Sequence, residues 1–132
     1  MKDCLRFRPQ SAYEGKQGFS YLEGISRENA KTEAICMHLV TVPPGGRAKA
    51  HKHATHETTI FVLEGGGAMF WGGKLENRME FGPGDLIYIP ADVPHLAFNP
   101  TDQTMRGVVA RTDPHEQESV VLLPELEGLV KV

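Results

Sequence analysis

Apolar residues in this 132-residue chain come in short runs, each closed by glycine or proline. Residues 34–42 (AICMHLVTV) stop at Pro43, Pro44, Gly45 and Gly46. Residues 58–63 (TTIFVL) are β-branched and aromatic, and end at Gly65, Gly66 and Gly67. Residues 68–71 (AMFW) break at Gly72 and Gly73, a pair suited to a hairpin. A more polar return strand is expected over 76–81, followed by short apolar strands over 85–89, 95–98 and 106–110. Residues 119–123 (SVVLL) form one more apolar segment, read either as a strand or as a tail packing on a partner. Helical periodicity is weak, and residues 25–34 read as a polar loop rather than a turn of helix. Short strands with turn residues every eight to twelve positions predict an all-β sandwich or barrel.

The length fits one domain, 1–132, with enough chain to bury an apolar core without staples. Fourteen glycines and nine prolines fit the turn-rich reading. The net charge of −3 and the scattered Lys and Arg argue against a nucleic-acid or anionic-membrane partner. No apolar stretch reaches the length of a membrane span, and the first residues (MKDCLRFRPQ) lack the apolar centre of a secretory signal. Cys4 and Cys36 belong to no CxxC or dense framework, so free thiols in a reducing, cytoplasmic setting are expected.

Histidines provide the candidate chemistry. His51, His53 and His56 cluster after the PPGG turn, and His95 stands alone after a second proline turn. Side chains alternate faces along a strand, so His51 and His53 point the same way, and by parity Glu57 points that way too. Two imidazoles and a carboxylate form part of a shell for a borderline metal ion, with His95 as the ligand arriving from elsewhere in the chain.

At these residues the sequence resembles the cupin superfamily. Its first motif is matched by Gly45, five residues, His51-Lys52-His53, three residues, Glu57 and then Gly65. Its second is matched by Gly84, five residues, Pro90-Ala91-Asp92, two residues, His95, three residues and Asn99. The motifs follow in the right order with 18 residues between Gly65 and Gly84, and the likeness spans roughly 36–110. Two departures stand out. Seven residues separate Glu57 from Gly65 where the family has six; anchoring on VLEG instead puts Thr58, a poor ligand, at the ligand position. A bulge after Glu57 is the preferred explanation, and His56 is the rival fourth ligand. Asp92 replaces a glycine, and Asp tolerates a left-handed turn better than most residues.

The resemblance implies a double-stranded β-helix, the cupin or jelly-roll barrel, often dimeric. It also implies one divalent transition metal held by His51, His53, Glu57 and His95. Iron(II) or manganese(II) come first, with Ni(II), Zn(II) and Cu(II) as further candidates. Glu57 and Tyr88 are then the candidate catalytic residues, and His38, Arg47, Phe61 and Phe98 the candidate substrate contacts. The implied activity is dioxygenase-like oxidation of a small organic molecule. The alternatives are an isomerase, lyase or hydrolase acting on a carboxylate or sugar, or a non-catalytic small-molecule-binding barrel. A homodimer is expected, with SVVLL and the segment around Leu5 and Phe7 pairing at a neighbour's edge strands.

Overall fold

A computed structural model describes residues 1–9, 12–115 and 119–131. Eleven strands form among them: β1 (Ala12–Glu14), β2 (Ser20–Ile25), β3 (Cys36–Val42), β4 (His51–His53), β5 (Thr58–Glu64), β6 (Gly67–Trp71), β7 (Asn77–Phe81), β8 (Leu86–Ile89), β9 (His95–Phe98), β10 (Met105–Arg111) and β11 (Val120–Leu122). One sheet has the order β1-β2-β3-β10-β5-β8 and the other β11-β4-β9-β6-β7. Every pairing is antiparallel. From β3 onward the chain alternates between the two sheets, apart from the β6–β7 hairpin, as in a jelly roll, so the expected all-β double-stranded β-helix is the observed fold.

The core follows from alternation. In β10 the residues at 105, 107, 109 and 111 face inward, and in β3 those at 36, 38, 40 and 42 do so. Val40, Val62, Met69, Ile89, Met105 and Val109 meet between the sheets and are all buried. A smaller cluster of Ala50, Leu75, Leu96 and Val130 lies under the C-terminal segment.

Three elements differ from the sequence expectations. Residues 25–34 contain a single helical turn, α1 (Arg27–Ala30), because Ser26 and Asn29 form a capping box that patterning does not weigh. β1 and β2 were not foreseen; their sequence is polar, and only one face of β2 meets the core, through the buried Tyr21. The SVVLL segment is not a tail: β11 pairs with β4 within the barrel.

The Asp92 departure has a local explanation. Asp92 adopts φ +64°, its N–H donates to the His53 carbonyl at 2.7 Å, and its carboxylate pairs with Lys52 Nζ at 2.7 Å. The second motif's turn is thereby tied to the first motif's strand. At Gly65 (φ +70°) an added Cβ would fall 2.3 Å from the Thr104 carbonyl oxygen, so glycine is required there. Asn99 fastens the turn after β9, donating from Nδ2 to the carbonyls of Val42 and Gln103.

Candidate metal centre

Strand pairing brings the three motif histidines together. His51 and His53 share one face of β4, and His51 lies directly across from His95 on β9. The His51 and His95 rings are 4.2 Å apart, and His53 is 5.1 Å from His51 and 5.3 Å from His95. One ligand nitrogen from each lies within 4.8 Å of the others, and all three residues are buried. His51 Nδ1 lies 2.7 Å from the Lys49 carbonyl, and His95 Nδ1 lies 3.0 Å from that of Val93. A carbonyl accepts only, so each Nδ1 carries the proton and each Nε2 keeps its lone pair for a metal. His53 Nδ1 is buried with no hydrogen-bond partner among the described residues.

Burial also keeps these imidazoles neutral. It pushes the pKa of His51 and His53 well below the ordinary value and that of His95 down to about 4, and the Arg111 charge acts in the same direction. Three converging neutral imidazoles fit a divalent transition metal, which needs deprotonated nitrogen donors.

Glu57 does not join them. The parity argument assumed one strand from 51 to 57, but β4 ends at His53 and the chain turns before β5 begins at Thr58. That break resets the alternation. Thr58 faces inward, buried, with its Oγ1 lacking a hydrogen-bond partner among the described residues, and Glu57 faces outward. Its carboxylate accepts a hydrogen bond from the Tyr88 hydroxyl on the outer face of the six-stranded sheet. Both residues expected to be catalytic therefore lie outside the barrel, where the bond to Glu57 raises the Tyr88 pKa. The rival His56 is buried behind the cluster. Its ring is 4.5 Å from that of His53, and its Nδ1 lies 2.5 Å from Ser119 Oγ and 3.6 Å from Asp113 Oδ2.

The expected substrate contacts divide. Phe98 lines an interior cavity of about 60 Å³ together with the three histidines. His38 is buried one layer back, its Nε2 3.3 Å from Arg111 Nη1. Arg47 is committed elsewhere, donating to the carbonyls of Val130 and Glu127 and to the Glu127 carboxylate. Phe61 points outward and is 40% exposed, because Val62 takes the inward position of β5.

Sequence reasoning missed the polar end of the cavity, which is formed by Gln17, Tyr21 and Arg111. Gln17 Nε2 donates to the Tyr21 hydroxyl at 2.6 Å, and the Arg111 guanidinium lies 6.0 Å from the Tyr21 ring centre. Burial raises the Tyr21 pKa, so the phenol keeps its proton. Arg111 is the one charged residue among the described cavity lining, and it is only 4% exposed. Inward parity after VVA in β10 was the signal that could have found it.

Residues 38–111, more than half of the chain, match the cupin domain family Cupin_2. The protein is a cupin. It is 34% identical over 83 residues to the uncharacterized protein MJ1618 of Methanocaldococcus jannaschii, covering 62% of this chain and 63% of that one. Its fold is similar to that of Bacillus subtilis oxalate decarboxylase as solved in work on its Mn(II) centres, with a TM-score of 0.73 and 23% identity, covering 86% of this chain and 30% of the enzyme. An oxalate decarboxylase structure addressing substrate binding mode gives a TM-score of 0.74 at 23% identity, covering 89% and 31%. This cupin thus spans under two thirds of MJ1618 and under a third of the decarboxylase.

Proposed function

We propose that this cupin is a metal-dependent enzyme that converts a small organic anion inside the barrel. The observation that carries the reading is the convergence of buried, neutral His51, His53 and His95 on a cavity whose one charged lining residue is a cation, Arg111. One water needs roughly 10–15 Å³ of such space, so about 60 Å³ holds about four to six waters, or a molecule of similar heavy-atom count. A short carboxylic acid has that size. Its carboxylate is drawn toward Arg111 while the Tyr21 hydroxyl and the Gln17 amide supply hydrogen-bonding groups, and Phe98, Ile89 and Met69 shape the apolar wall.

A divalent iron or manganese at the histidines supplies a Lewis acid and a redox couple. Three neutral donors leave its full charge uncompensated by the protein, which favours an anionic ligand. Oxygen-dependent oxidation is the reading preferred. Non-oxidative cleavage of a short carboxylate is the second, and the fold shared with a Mn(II) oxalate decarboxylase favours it. Both cysteines are free thiols, Cys4 exposed and Cys36 buried, which supports placing the enzyme in a reducing cytoplasm. No helix among the described residues is long and apolar enough to cross a membrane.

Metal analysis of the purified protein beside His51→Ala and His95→Ala tests the core of the proposal. Wild type is expected to carry about one divalent transition metal per chain, and each variant far less. Equal metal in all three would sink it. With the metal known, turnover of short carboxylic acids is followed with an oxygen electrode: oxygen consumption in step with turnover selects oxidation, and turnover without it selects cleavage.

A further inference from the structure

Among the three converging histidines, His53 alone has a ring that the backbone does not anchor. His51 and His95 each aim Nδ1 at a carbonyl two residues earlier in the chain. His53 Nδ1 has no partner among the described residues, although the residue is only 2% exposed. The main chain at this point is well held, because the His53 carbonyl accepts from the Asp92 N–H at 2.7 Å. The unmet group therefore belongs to the side chain alone.

The neighbouring ring carries the complementary group. His56 lies in the link between β4 and β5, is 1% exposed, and packs its ring centre 4.5 Å from that of His53 with 35° between the planes. Its Nδ1 meets Ser119 Oγ at 2.5 Å and faces Asp113 Oδ2 at 3.6 Å. Asp113 follows β10 and Ser119 precedes β11, so segments from both sheets hold this ring. A carboxylate only accepts, so Asp113 draws the imidazole proton to Nδ1. Nε2 keeps its lone pair, buried and with no hydrogen-bond partner among the described residues. A buried donor and a buried acceptor thus sit on adjacent rings, each with its desolvation cost unmet.

We propose that His56 is a positioning residue for the metal centre: its Nε2 accepts the Nδ1–H of His53 once His53 gives its own Nε2 to the ion. The inference rests on the reading of the three histidines as a metal site. With Nε2 given to the ion, the His53 proton is fixed on Nδ1, and a ligating imidazole almost always donates that second N–H. The series His53, His56, Asp113 then does for the third ligand what backbone carbonyls do for the other two. It also adds charge, because the Asp113 carboxylate acting through His56 makes His53 a more basic donor. His56 is not in the group whose nitrogens converge, so it supports a ligand and is not one itself.

Zinc(II) is the probe that tests this. Its affinity, read by competition with a chromophoric chelator, is compared among wild type, His56→Phe and His56→Gln. Phenylalanine keeps a flat ring without an acceptor, and glutamine offers an amide oxygen in place of Nε2. His56→Phe is expected to bind Zn(II) about 10–100-fold more weakly, and His56→Gln to recover most of that loss. In nitrogen-labelled, Zn(II)-loaded wild type, NMR is expected to show a coupling across the hydrogen bond between His53 Nδ1 and His56 Nε2. A merely structural His56 gives no such coupling, and the wild-type spectrum decides even where a variant fails to fold. Wild type that binds Zn(II) without the coupling overturns this inference alone. So does a folded His56→Phe that binds as tightly as wild type, or a folded His56→Gln as weak as His56→Phe. Wild type that binds no Zn(II) overturns the metal reading, and this inference with it.

Discussion

Glu57 and Thr58 show how far one residue of register moves a side chain. A strand that ran unbroken from His51 would aim Glu57 at His53; a strand that restarts at Thr58 aims it at solvent and at Tyr88. Glu57→Gln is therefore expected to retain wild-type metal content, whereas His53→Ala loses it, as read by metal analysis of the dialysed proteins. Loss of metal in Glu57→Gln would return the carboxylate to the site. Arg111→Gln tests the other end of the cavity: removing a charge-assisted hydrogen bond worth about 1.5–3 kcal/mol raises KM for an anionic substrate by about 10-fold or more. An unchanged KM would remove Arg111 from substrate binding. The three histidines were legible because two separate motifs each fix their own part of the triad. Glu57 was not, because the chain leaves the strand between 54 and 57 without glycine or proline to announce the turn. Arg111 went unnoticed because a charged residue at an inward position reads as an exposed strand end until its burial is known.

At the level of elements, the ligand strand is short and borrows its rigidity. β4 has three residues, and its register with β9 rests on the single pair His51 and His95. Its other side is held by β11, and the 3-10 helix that follows (Pro124–Leu129) closes over it. Glu127 is the fastening point. Its Oε1 accepts from the Ala50 N–H at 2.7 Å, immediately before the first ligand, and its Oε2 meets Arg47 at 3.1 Å. Glu127→Ala removes both contacts and is expected to cost about 1–3 kcal/mol, a fall of several degrees in Tm. The same variant should hold metal more weakly, because β4 frays next to His51; competition with a chelator measures this, and unchanged affinity would show that β4 is rigid by itself. The strands were largely readable from apolar runs and turn residues. This clasp was not, since the sequence marks 119–123 as apolar without saying which strand it will cover, and Glu127 lies 77 residues from the amide it caps.

For the molecule as a whole, the consequence of burying so many imidazoles is a stability that depends on acid. His95 titrates near 4 in the folded protein and near 6.5 when unfolded, chiefly because burial disfavours its charged form. His38, His51, His53 and His56 are shifted downward for the same reason. Between about pH 6.5 and pH 4 the unfolded chain therefore binds protons that the folded chain refuses, and stability rises with pH across that window. Acidification runs the relation backwards. By pH 4, His95 alone has withdrawn about 3 kcal/mol relative to pH 7, a large share of the roughly 5–15 kcal/mol that holds a domain folded. Most of the window lies above the ordinary range of Asp and Glu, so histidines govern the slope. The urea midpoint of the metal-free protein is expected to hold steady from pH 8 to pH 7 and to fall continuously below about 6.5. A midpoint unchanged between pH 7 and pH 5 would mean that the imidazoles take up protons while folded, and that the site does not hold them neutral for a metal.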